Sequence, residues 1–268
     1  MILRSDTKGH TMRIGLYNLD LDDPDHLGIA HQLGFDYVQC YGLNDLVGHY
    51  PDDGADRMRR YLDDAAAQHL KVMVDVPRRW YQQFYQGGTI RAYLQSVANH
   101  PGFLAWYLAD EPEVNAFYRE RYDDVYYHAV MADRTRIMQA KEEDRPLPPP
   151  MPFRVATCSP LAHLGTYPYP ATQYVCSTYW IRRYWPPLGI GGRFVPWVWR
   201  WLIHKYGRRR VLPVIQTHDA DLWWAGGLFN RHGYREPTMD EMVTHIRAAK
   251  ELGCQESWLW GIHARNGG

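Results

Sequence analysis

The chain has 268 residues, with 30 Lys and Arg residues, 30 Asp and Glu residues and a formal net charge of zero. This balance provides no general attraction to nucleic acid or to an anionic membrane surface, so neither is expected as a partner. The N-terminal segment lacks an apolar signal region and no apolar run is long enough to cross a membrane, which predicts a cytoplasmic location, or a secreted one if a signal segment has been removed. The unusual feature is aromatic content, with 11 Trp and 20 Tyr, residue types that build cores and stacking platforms.

Strand-like and helix-like segments alternate along the chain. The predicted strands, in chain order, are 12–20, 35–42, 71–77, 103–113, 153–160, 173–180, 210–219 and 256–263. The predicted helices are 23–34, 54–70, 89–102, 116–142, 194–207 and 238–253.

Several helix ends carry recognisable signals. Asp23 or Asp25 is a plausible N-cap of the first helix, and Gly34 ends it. Thr238 and Glu241 form a capping box at the start of the last helix. Two connections differ from this pattern. The segment between the fifth and sixth strands shows little helical signal, and residues 181–193 are predicted to be a loop over the cleft, either a substrate-binding lid or an ordered crossover.

Eight strands alternating with mostly helical connections predict a parallel sheet of the α/β class. At this length, eight strands favour closure into a single (β/α)8 barrel, the TIM barrel fold, over residues 12–268. Residues 1–11 are expected to be a poorly ordered extension. The alternative is a doubly wound open sheet, which usually has a glycine-rich loop after its first strand, and "YNLDLDD" has none.

The four cysteines are widely spaced, with no CxxC pair and no spacing typical of a zinc site. We expect all of them to be reduced and buried. They are Cys40, Cys158, Cys176 and Cys254.

The fourth predicted strand runs into adjacent carboxylates in "FLAWYLADEPE" (103–113), where Asp110 and Glu111 precede Pro112. Pro112 has no N–H for the sheet, and it is predicted to hold Glu111 in an extended conformation. Adjacent residues of an extended chain point to opposite sides, so one carboxylate should face the cleft while the other braces against a neighbouring strand or loop. The same three residues would also suit a helix start, with acids complementing the helix dipole, and spacing alone leaves both interpretations open.

Polar and aromatic residues also lie at the ends of the other predicted strands. In a parallel barrel these ends meet at one rim, where catalytic groups gather. Aromatic faces cover the C–H side of a sugar ring, and carboxylates, amides and imidazoles bond its hydroxyls, so the rim is predicted to bind carbohydrate. The candidate rim residues are Asp20, Tyr41, Asp75, Tyr179, Trp180, Gln216, His218, Asp219, Asp221, Trp223, Trp224, Trp258, Trp260 and His263.

Over residues 12–264 the sequence resembles the barrel-type glycoside hydrolases. The resemblance is carried by "HPGFLAWYLADEPE" (100–113) and by "YREPTMDEMVTHIRAAKELGCQESWLWG" (234–261). It implies that Glu111, at the end of strand four, is the general acid/base. The large retaining group has Asn before this Glu and a second Glu ending strand seven, whereas here Asp110 stands before it and strand seven ends "VIQTHDAD". A retaining mechanism would therefore have to use Asp219 or Asp221 as nucleophile.

The adjacent Asp-Glu-Pro sequence is similar to that of the substrate-assisted hexosaminidases. That resemblance implies that the substrate's own 2-acetamido oxygen attacks the anomeric carbon, while Asp110 orients the amide and Glu111 protonates the leaving oxygen, without a carboxylate nucleophile. To act as an acid, Glu111 has to be protonated near neutral pH, which apolar surroundings from Trp106, Tyr107 and Trp260 or the charge of Asp110 would favour. The expected function is therefore hydrolysis of a β-linked oligo- or polysaccharide, without a cofactor, by a monomer or weak homo-oligomer.

Two other functions remain open at this point. The missing strand-seven Glu would suit a non-catalytic carbohydrate-binding barrel. A metal-dependent barrel hydrolase could use Asp20, Asp75, His218, Asp219 and His263, although no HxH or HExxH pattern supports it. A sugar-phosphate enzyme could use Gly226 and Gly227, a weak phosphate signal. The basic run "KYGRRR" (205–210) is interpreted as cations near a helix C-terminus rather than as a nucleic-acid patch.

Overall fold

The computed structural model describes residues 12–17, 25–39, 51–76, 87–157, 160–177, 190–215 and 237–260. The predicted extension 1–11 lies outside these ranges. The strands are β1 (Arg13–Tyr17), β2 (Tyr37–Gln39), β3 (Lys71–Asp75), β4 (Phe103–Ala109), β5 (Phe153–Thr157), β6 (Gln173–Cys176), β7 (Val211–Ile215) and β8 (Glu256–Trp260). The helices are α1 (His26–Gln32), α2 (Pro51–Ala67), α3 (Gly87–Ala98), α4 (Ala116–Arg119), α5 (Tyr122–Glu142), α6 (Ile190–Tyr206) and α7 (Met239–Glu251).

The eight strands form one closed barrel in the order β1 to β8, with every neighbouring pair parallel. β1 closes the barrel against β8, from Arg13 opposite Glu256 to Tyr17 opposite Trp260. The prediction of a single (β/α)8 barrel is confirmed, and closure excludes the open doubly wound sheet. Since all strands run the same way, their carboxyl ends meet at one mouth, where Asp110 follows β4.

The predicted helix 116–142 is wrong in one respect, because it is two helices. Asn115 caps the short α4 by accepting a hydrogen bond from the Phe117 N–H, and the chain leaves helical geometry at Arg121, with φ −125° and ψ 14°, before α5 begins. The loop prediction for 181–193 is also partly wrong, since α6 begins at Ile190. Residues 181–189 lie outside the described part of the chain.

Other local predictions are confirmed. Thr238 accepts a hydrogen bond from the Glu241 N–H, and the Glu241 carboxylate bonds back to the Thr238 N–H, completing the capping box of α7. Gly34 has φ +85° just after α1, a left-handed conformation that favours glycine. The weakly helical connection between β5 and β6 contains a single 3-10 turn, Pro160–His163. Among the described residues, no helix has the length and apolarity needed to cross a membrane.

Buried residues form an outer layer between sheet and helices and an inner layer inside the barrel. The inner layer is centred on Trp258, which is fully buried and packs edge-on against Tyr17. Gly15 makes room for it, since a Cβ on Gly15 would lie 2.5 Å from two carbons of the indole ring. The inner hydrophobic residues are Tyr17, Met73, Ala105, Tyr107, Ala156, Val175, Leu212, Val214 and Trp258.

A buried ion pair closes the inside of the barrel toward the amino ends of the strands. Arg154 Nη1 lies 2.7 Å from Glu256 Oε1, and Arg154 Nε donates to Gln173 Oε1 at 2.8 Å. Trp258 Nε1 also donates to Glu256 Oε1, at 2.6 Å. Because both charges are paired and further hydrogen-bonded, their burial is tolerated.

Cys176 and Cys254 are free and buried, as predicted. Burial raises the pKa of the Cys254 thiol to about 11, so it stays protonated. Cys40 and Cys158 lie outside the described residues.

Candidate functional site

Two tyrosines from opposite sides of the barrel hold Asp110 at the mouth. Tyr107, on β4, donates its hydroxyl to Asp110 Oδ1 at 2.6 Å. The hydroxyl of Tyr17, the last residue of β1, lies within hydrogen-bond distance of both the Tyr107 hydroxyl and Asp110 Oδ1 (3.1 Å), and its one hydrogen can be donated to only one of them at a time. Asp110 is therefore held at the mouth of the barrel by hydrogen bonding from the inner side.

Aromatic rings line the wall beside Asp110. Trp260, at the end of β8, packs edge-on against Tyr17 with ring centroids 5.8 Å apart, and Tyr17 packs the same way against Tyr107 at 5.8 Å. Trp258 lies one layer deeper, also edge-on to Tyr17. Edge-to-face packing fixes the ring orientations, and of these rings Trp260 is the partly exposed one.

A second buried polar pair lies at the ends of β2 and β3. Gln39 Nε2 donates to both carboxylate oxygens of Asp75, at 2.8 and 3.0 Å, and both side chains are buried. Tyr107 is the register neighbour of Asp75 on the adjacent strand. The carboxylate of Asp75 is thus fixed close to the tyrosines that hold Asp110.

Glu111 departs from the predicted backbone. Its φ is +48°, in the left-handed region, so the expectation that Pro112 holds it extended is wrong. Its carbonyl accepts hydrogen bonds from the N–H groups of Val114 (3.0 Å) and Asn115 (2.8 Å), so the chain turns tightly just after the strand. A non-glycine residue in this region costs roughly 1–3 kcal/mol and persists only where surrounding contacts impose it. The residue is half-buried, and its Oε1 atom is shielded from solvent.

Glu113, two residues further on, is bonded to the next part of the barrel. Thr157, the last residue of β5, donates to Glu113 Oε1 at 2.6 Å, and Tyr167 donates to Glu113 Oε2 at 2.8 Å. Thr157 also contacts His163 Nε2 at 2.8 Å, and His163 Nδ1 lies 2.9 Å from the Tyr206 hydroxyl. A continuous hydrogen-bonded chain therefore links the turn after β4 with the end of α6.

His163, in the middle of this series of hydrogen bonds, is fully buried and stacks on Tyr167 with ring centroids 4.1 Å apart. Burial, reinforced by the nearby Lys205 charge, lowers the pKa of His163 to about 4, so the imidazole is neutral at physiological pH. Burial, reinforced by the charge of Glu113, raises the pKa of Tyr167 far above its ordinary value, so its hydroxyl remains a donor.

Several predicted site residues are placed by the structure. Asp110, Glu111, Asp75 and Trp260 all lie at the carboxyl ends of their strands. Trp258 does not reach the rim, because it fills the barrel interior. The remaining predicted site residues lie outside the described residues: Asp20, Tyr41, Tyr179, Trp180, Gln216, His218, Asp219, Asp221, Trp223, Trp224 and His263.

Trp106 was expected to provide apolar surroundings for Glu111, and this expectation is wrong. Its indole packs against Phe103 and Tyr93 in the layer between sheet and helices, and its Nε1 donates to Met151 Sδ. Alternation along β4 sends Trp106 outward and Tyr107 inward. Tyr107 and Trp260 are therefore the predicted aromatics that lie on the inner side.

Sequence reasoning missed five side chains that organise this region. Tyr17 and Gln39 sit in the last position of their strands, where Asp75 also lies, and that shared position is the signal that could have identified them. Thr157, the last residue of β5, shares that position, whereas Glu113 and His163 gave no comparable signal, since only the folded chain brings them together. Ser177, just after β6, is also buried, and its hydroxyl has no hydrogen-bond partner among the described residues.

Two further features bear on the metal-dependent alternative and on the basic run after α6. No group of three or more His, Cys, Asp or Glu side chains within the described ranges could hold a metal ion, and Asp75 is the one member of the predicted metal set that lies there. A cavity of ≈ 870 Å³ lies at the opposite end of the barrel, near the amino ends of β1 and β8. Its wall includes Arg208, Arg209 and Arg210 from the basic run after α6.

The basic run 205–210 makes structural hydrogen bonds through Lys205 and Arg210. Lys205 Nζ donates to the carbonyls of His163 and Gly165, and Arg210 donates to the carbonyls of Ala171 and Thr172. These contacts bind the end of α6 to the connection that precedes β6. They support the interpretation of "KYGRRR" as cations near a helix C-terminus.

No family model matches the sequence, and no curated protein matches it. Solved structures do match its fold. A protein described as glycoside hydrolase-like aligns over 99% of this chain and 88% of its own, with a TM-score of 0.62 and 12% identity. A GH5_18 protein from Bifidobacterium longum subsp. longum, in complex with Manb1-4GlcNAc, aligns over 95% of this chain and 70% of its own, with a TM-score of 0.56 and 12% identity. 

A β-glucuronidase from Ruminococcus gnavus aligns over 94% of this chain with a TM-score of 0.52 and 13% identity, and the chain spans 43% of its length. At these identities the likeness shows the fold. These solved structures share the (β/α)8 barrel fold with this chain.

Proposed function

We propose that the protein is a glycoside hydrolase that cleaves a β-linked oligo- or polysaccharide, with Glu111 as general acid/base and Asp110 as its partner. The observation that carries this proposal is the mouth of the barrel. Asp110 is fixed there by two tyrosyl hydroxyls, and the next residue, Glu111, is held in a left-handed conformation that costs free energy. The likeness to a barrel in complex with Manb1-4GlcNAc and to one described as glycoside hydrolase-like supports it at the level of fold.

The geometry favours a substrate with a 2-acetamido group. Asp110 Oδ1 accepts a hydrogen bond from Tyr107 at 2.6 Å, and a carboxylate held in this way can also accept one from a substrate amide N–H. In a substrate-assisted reaction the acetamido oxygen attacks the anomeric carbon, the glycosidic bond breaks, and Glu111 transfers its proton to the leaving oxygen. Water then opens the cyclic intermediate, with Glu111 taking a proton back. Asp110 stabilises the positive charge that develops on the amide.

The aromatic wall explains how the sugar would be oriented. Trp260 is partly exposed and offers an apolar face, which the buried Tyr17 supports from the inner side. The Gln39–Asp75 pair, also buried, places polar atoms at the ends of neighbouring strands. A sugar ring stacked on an aromatic face presents its hydroxyls sideways to such groups. We propose that Asp75 and Trp260 bind substrate, together with the predicted rim residues outside the described part of the chain. If the reaction instead proceeds through an enzyme nucleophile, Asp219 and Asp221 are the candidates.

The test uses two β-N-acetylhexosaminides that differ only in leaving group. An unactivated disaccharide needs a proton donor, whereas a 2,4-dinitrophenyl glycoside does not. Glu111→Gln should lower kcat/KM on the disaccharide by about 10²–10⁴-fold and much less on the dinitrophenyl substrate, because only the first requires general acid catalysis. Asp110→Asn should impair both substrates. The exposed Glu120→Gln is the matched control and should match the wild type.

Equal activity of wild type and Glu111→Gln on the disaccharide would remove the assignment of Glu111. Binding of the disaccharide by the wild type without turnover would instead support the non-catalytic carbohydrate-binding barrel. A replacement of the 2-acetamido group by hydroxyl should abolish most turnover if the reaction is substrate-assisted, and should have little effect if a carboxylate of the protein is the nucleophile.

A further inference from the structure

The turn after β4 is anchored on both sides of Glu111. On the strand side, Asp110 is hydrogen-bonded to the barrel interior through Tyr17 and Tyr107. On the other side, Glu113 is hydrogen-bonded to Thr157 and Tyr167. A left-handed Glu111 lies between these anchors, and such a conformation is retained only where its neighbours impose it.

We propose that Glu113 is a positioning residue for Glu111, clamping the turn 111–115 onto the end of β5 through its bonds to Thr157 and Tyr167. This inference rests on the proposed role of Glu111. It assigns Glu113 a function that neither the acidic motif nor the resemblance implies.

The direction of each hydrogen bond in the chain can be assigned from donor capacity. Tyr167 and Thr157 donate to Glu113, which has only acceptors when ionised. Because the Thr157 hydroxyl hydrogen is used in this way, its oxygen accepts from His163 Nε2–H. Neutral His163 then accepts at Nδ1 from the Tyr206 hydroxyl, whose pKa burial raises to about 12, so that it keeps its proton.

Every donor in this chain points toward Glu113, and the chain ends in its carboxylate. The Glu113 carboxylate is two residues along the sequence from Glu111. A nearby negative charge makes Glu111 more reluctant to lose its proton, which is what a general acid requires.

The same series of hydrogen bonds holds Glu113 and its partners in place. Thr157 and His163 are buried at 3% and 0% exposure, and His163 is stacked on Tyr167. The Lys205 ammonium group fixes the His163 backbone carbonyl from the end of α6. Buried and fully satisfied polar networks hold their members in one arrangement.

The experiment compares Glu113→Gln and Thr157→Val with the wild type by amide hydrogen exchange and by the pH dependence of kcat/KM. Thr157→Val removes one donor and keeps the charge of Glu113, whereas Glu113→Gln removes the charge and turns an amide N–H toward a hydroxyl donor. In both variants the N–H groups of Val114 and Asn115, which bond to the Glu111 carbonyl, should exchange about 10-fold faster or more. Glu120→Gln is the control and should exchange like the wild type.

The pH profile separates positioning from a merely structural role. Glu113→Gln should move the basic limb of kcat/KM toward lower pH by about half a unit or more, because Glu111 loses a neighbouring negative charge. Thr157→Val should lower kcat without moving that limb. An unmoved basic limb in Glu113→Gln, or unchanged exchange at Val114 and Asn115 in both variants, would overturn the inference.

The exchange measurement needs no substrate. If the wild type hydrolyses no glycoside, the proposed function fails, and exchange still decides whether Glu113 clamps the turn.

Discussion

Acidification should destabilise the fold through His163. Its ring is fully buried, and its pKa is lowered to about 4 from an ordinary value of 6.5. Between these two pH values His163 binds a proton in the unfolded chain but not in the folded protein. The free energy of unfolding is therefore highest above pH 6.5 and falls as the pH is lowered from 6.5 toward 4. At about 1.4 kcal/mol per pH unit the loss reaches about 3 kcal/mol, and it levels off below about pH 4.

The assay is urea denaturation followed by tryptophan fluorescence at a series of pH values from 7.5 to 4. Comparison with His163→Gln removes contributions from other groups, since glutamine retains a donor and an acceptor but does not titrate. The stability of the wild type relative to His163→Gln should fall by about 3 kcal/mol over this range. The exposed His204→Gln is the control and should run parallel to the wild type. If the free energy of unfolding of the wild type and of His163→Gln also changes in parallel with pH, the description of His163 as buried and neutral is incorrect.

The remaining predictions concern packing, the acidic pair and a helix end. Gly15→Ala should destabilise the fold by about 1–3 kcal/mol and lower Tm, because the new Cβ would lie 2.5 Å from a buried tryptophan ring. Gly165→Ala, which adds a Cβ with no neighbour within 4 Å, is its control and should change Tm little. Tyr107→Phe should lower kcat/KM by about 10-fold or more, since it removes a 2.6 Å hydrogen bond to Asp110, while calorimetry should show a folded protein. Thr238→Ala should cost about 1 kcal/mol of stability in urea denaturation by removing the cap of α7, with kcat/KM unchanged.

The barrel could be predicted because the sequence patterns that specify it lie within single strands and helices and repeat along the chain. Eight apolar segments and their helical partners each show their own period, and a closed parallel sheet follows from their number and order. The break between α4 and α5 could not be predicted in the same way. The segment around Glu120 and Arg121 has no glycine or proline, and the short α4 depends on the Asn115 cap at the end of the β4 turn.

The site was predictable where it depends on strand ends and not where it depends on contacts across the barrel. Asp110 and Glu111 follow from the end of β4 and the proline after it. The left-handed backbone of Glu111 does not follow, because the general restriction on residues before proline gives no hint of a clamp at Glu113. Only the folded chain brings Thr157 to that carboxylate.

The direction of the side chains along β4 could not be predicted from the sequence either. Trp106 and Tyr107 are both aromatic, and the sequence does not show which faces inward. The register shift against β5 between Tyr107 and Ala109 changes the alternation just before Asp110. A pattern that assumes regular alternation therefore fails at the residues that matter most for the site.

The most direct test of the central claim is the rate of hydrolysis of an unactivated β-N-acetylhexosaminide by the wild type and by Glu111→Gln at matched pH. We expect the wild type to turn the substrate over and the variant to lose about 10²–10⁴-fold in kcat/KM with an unchanged Tm. A variant that hydrolyses this substrate at the wild-type rate would contradict the role of Glu111 as proton donor at the barrel mouth.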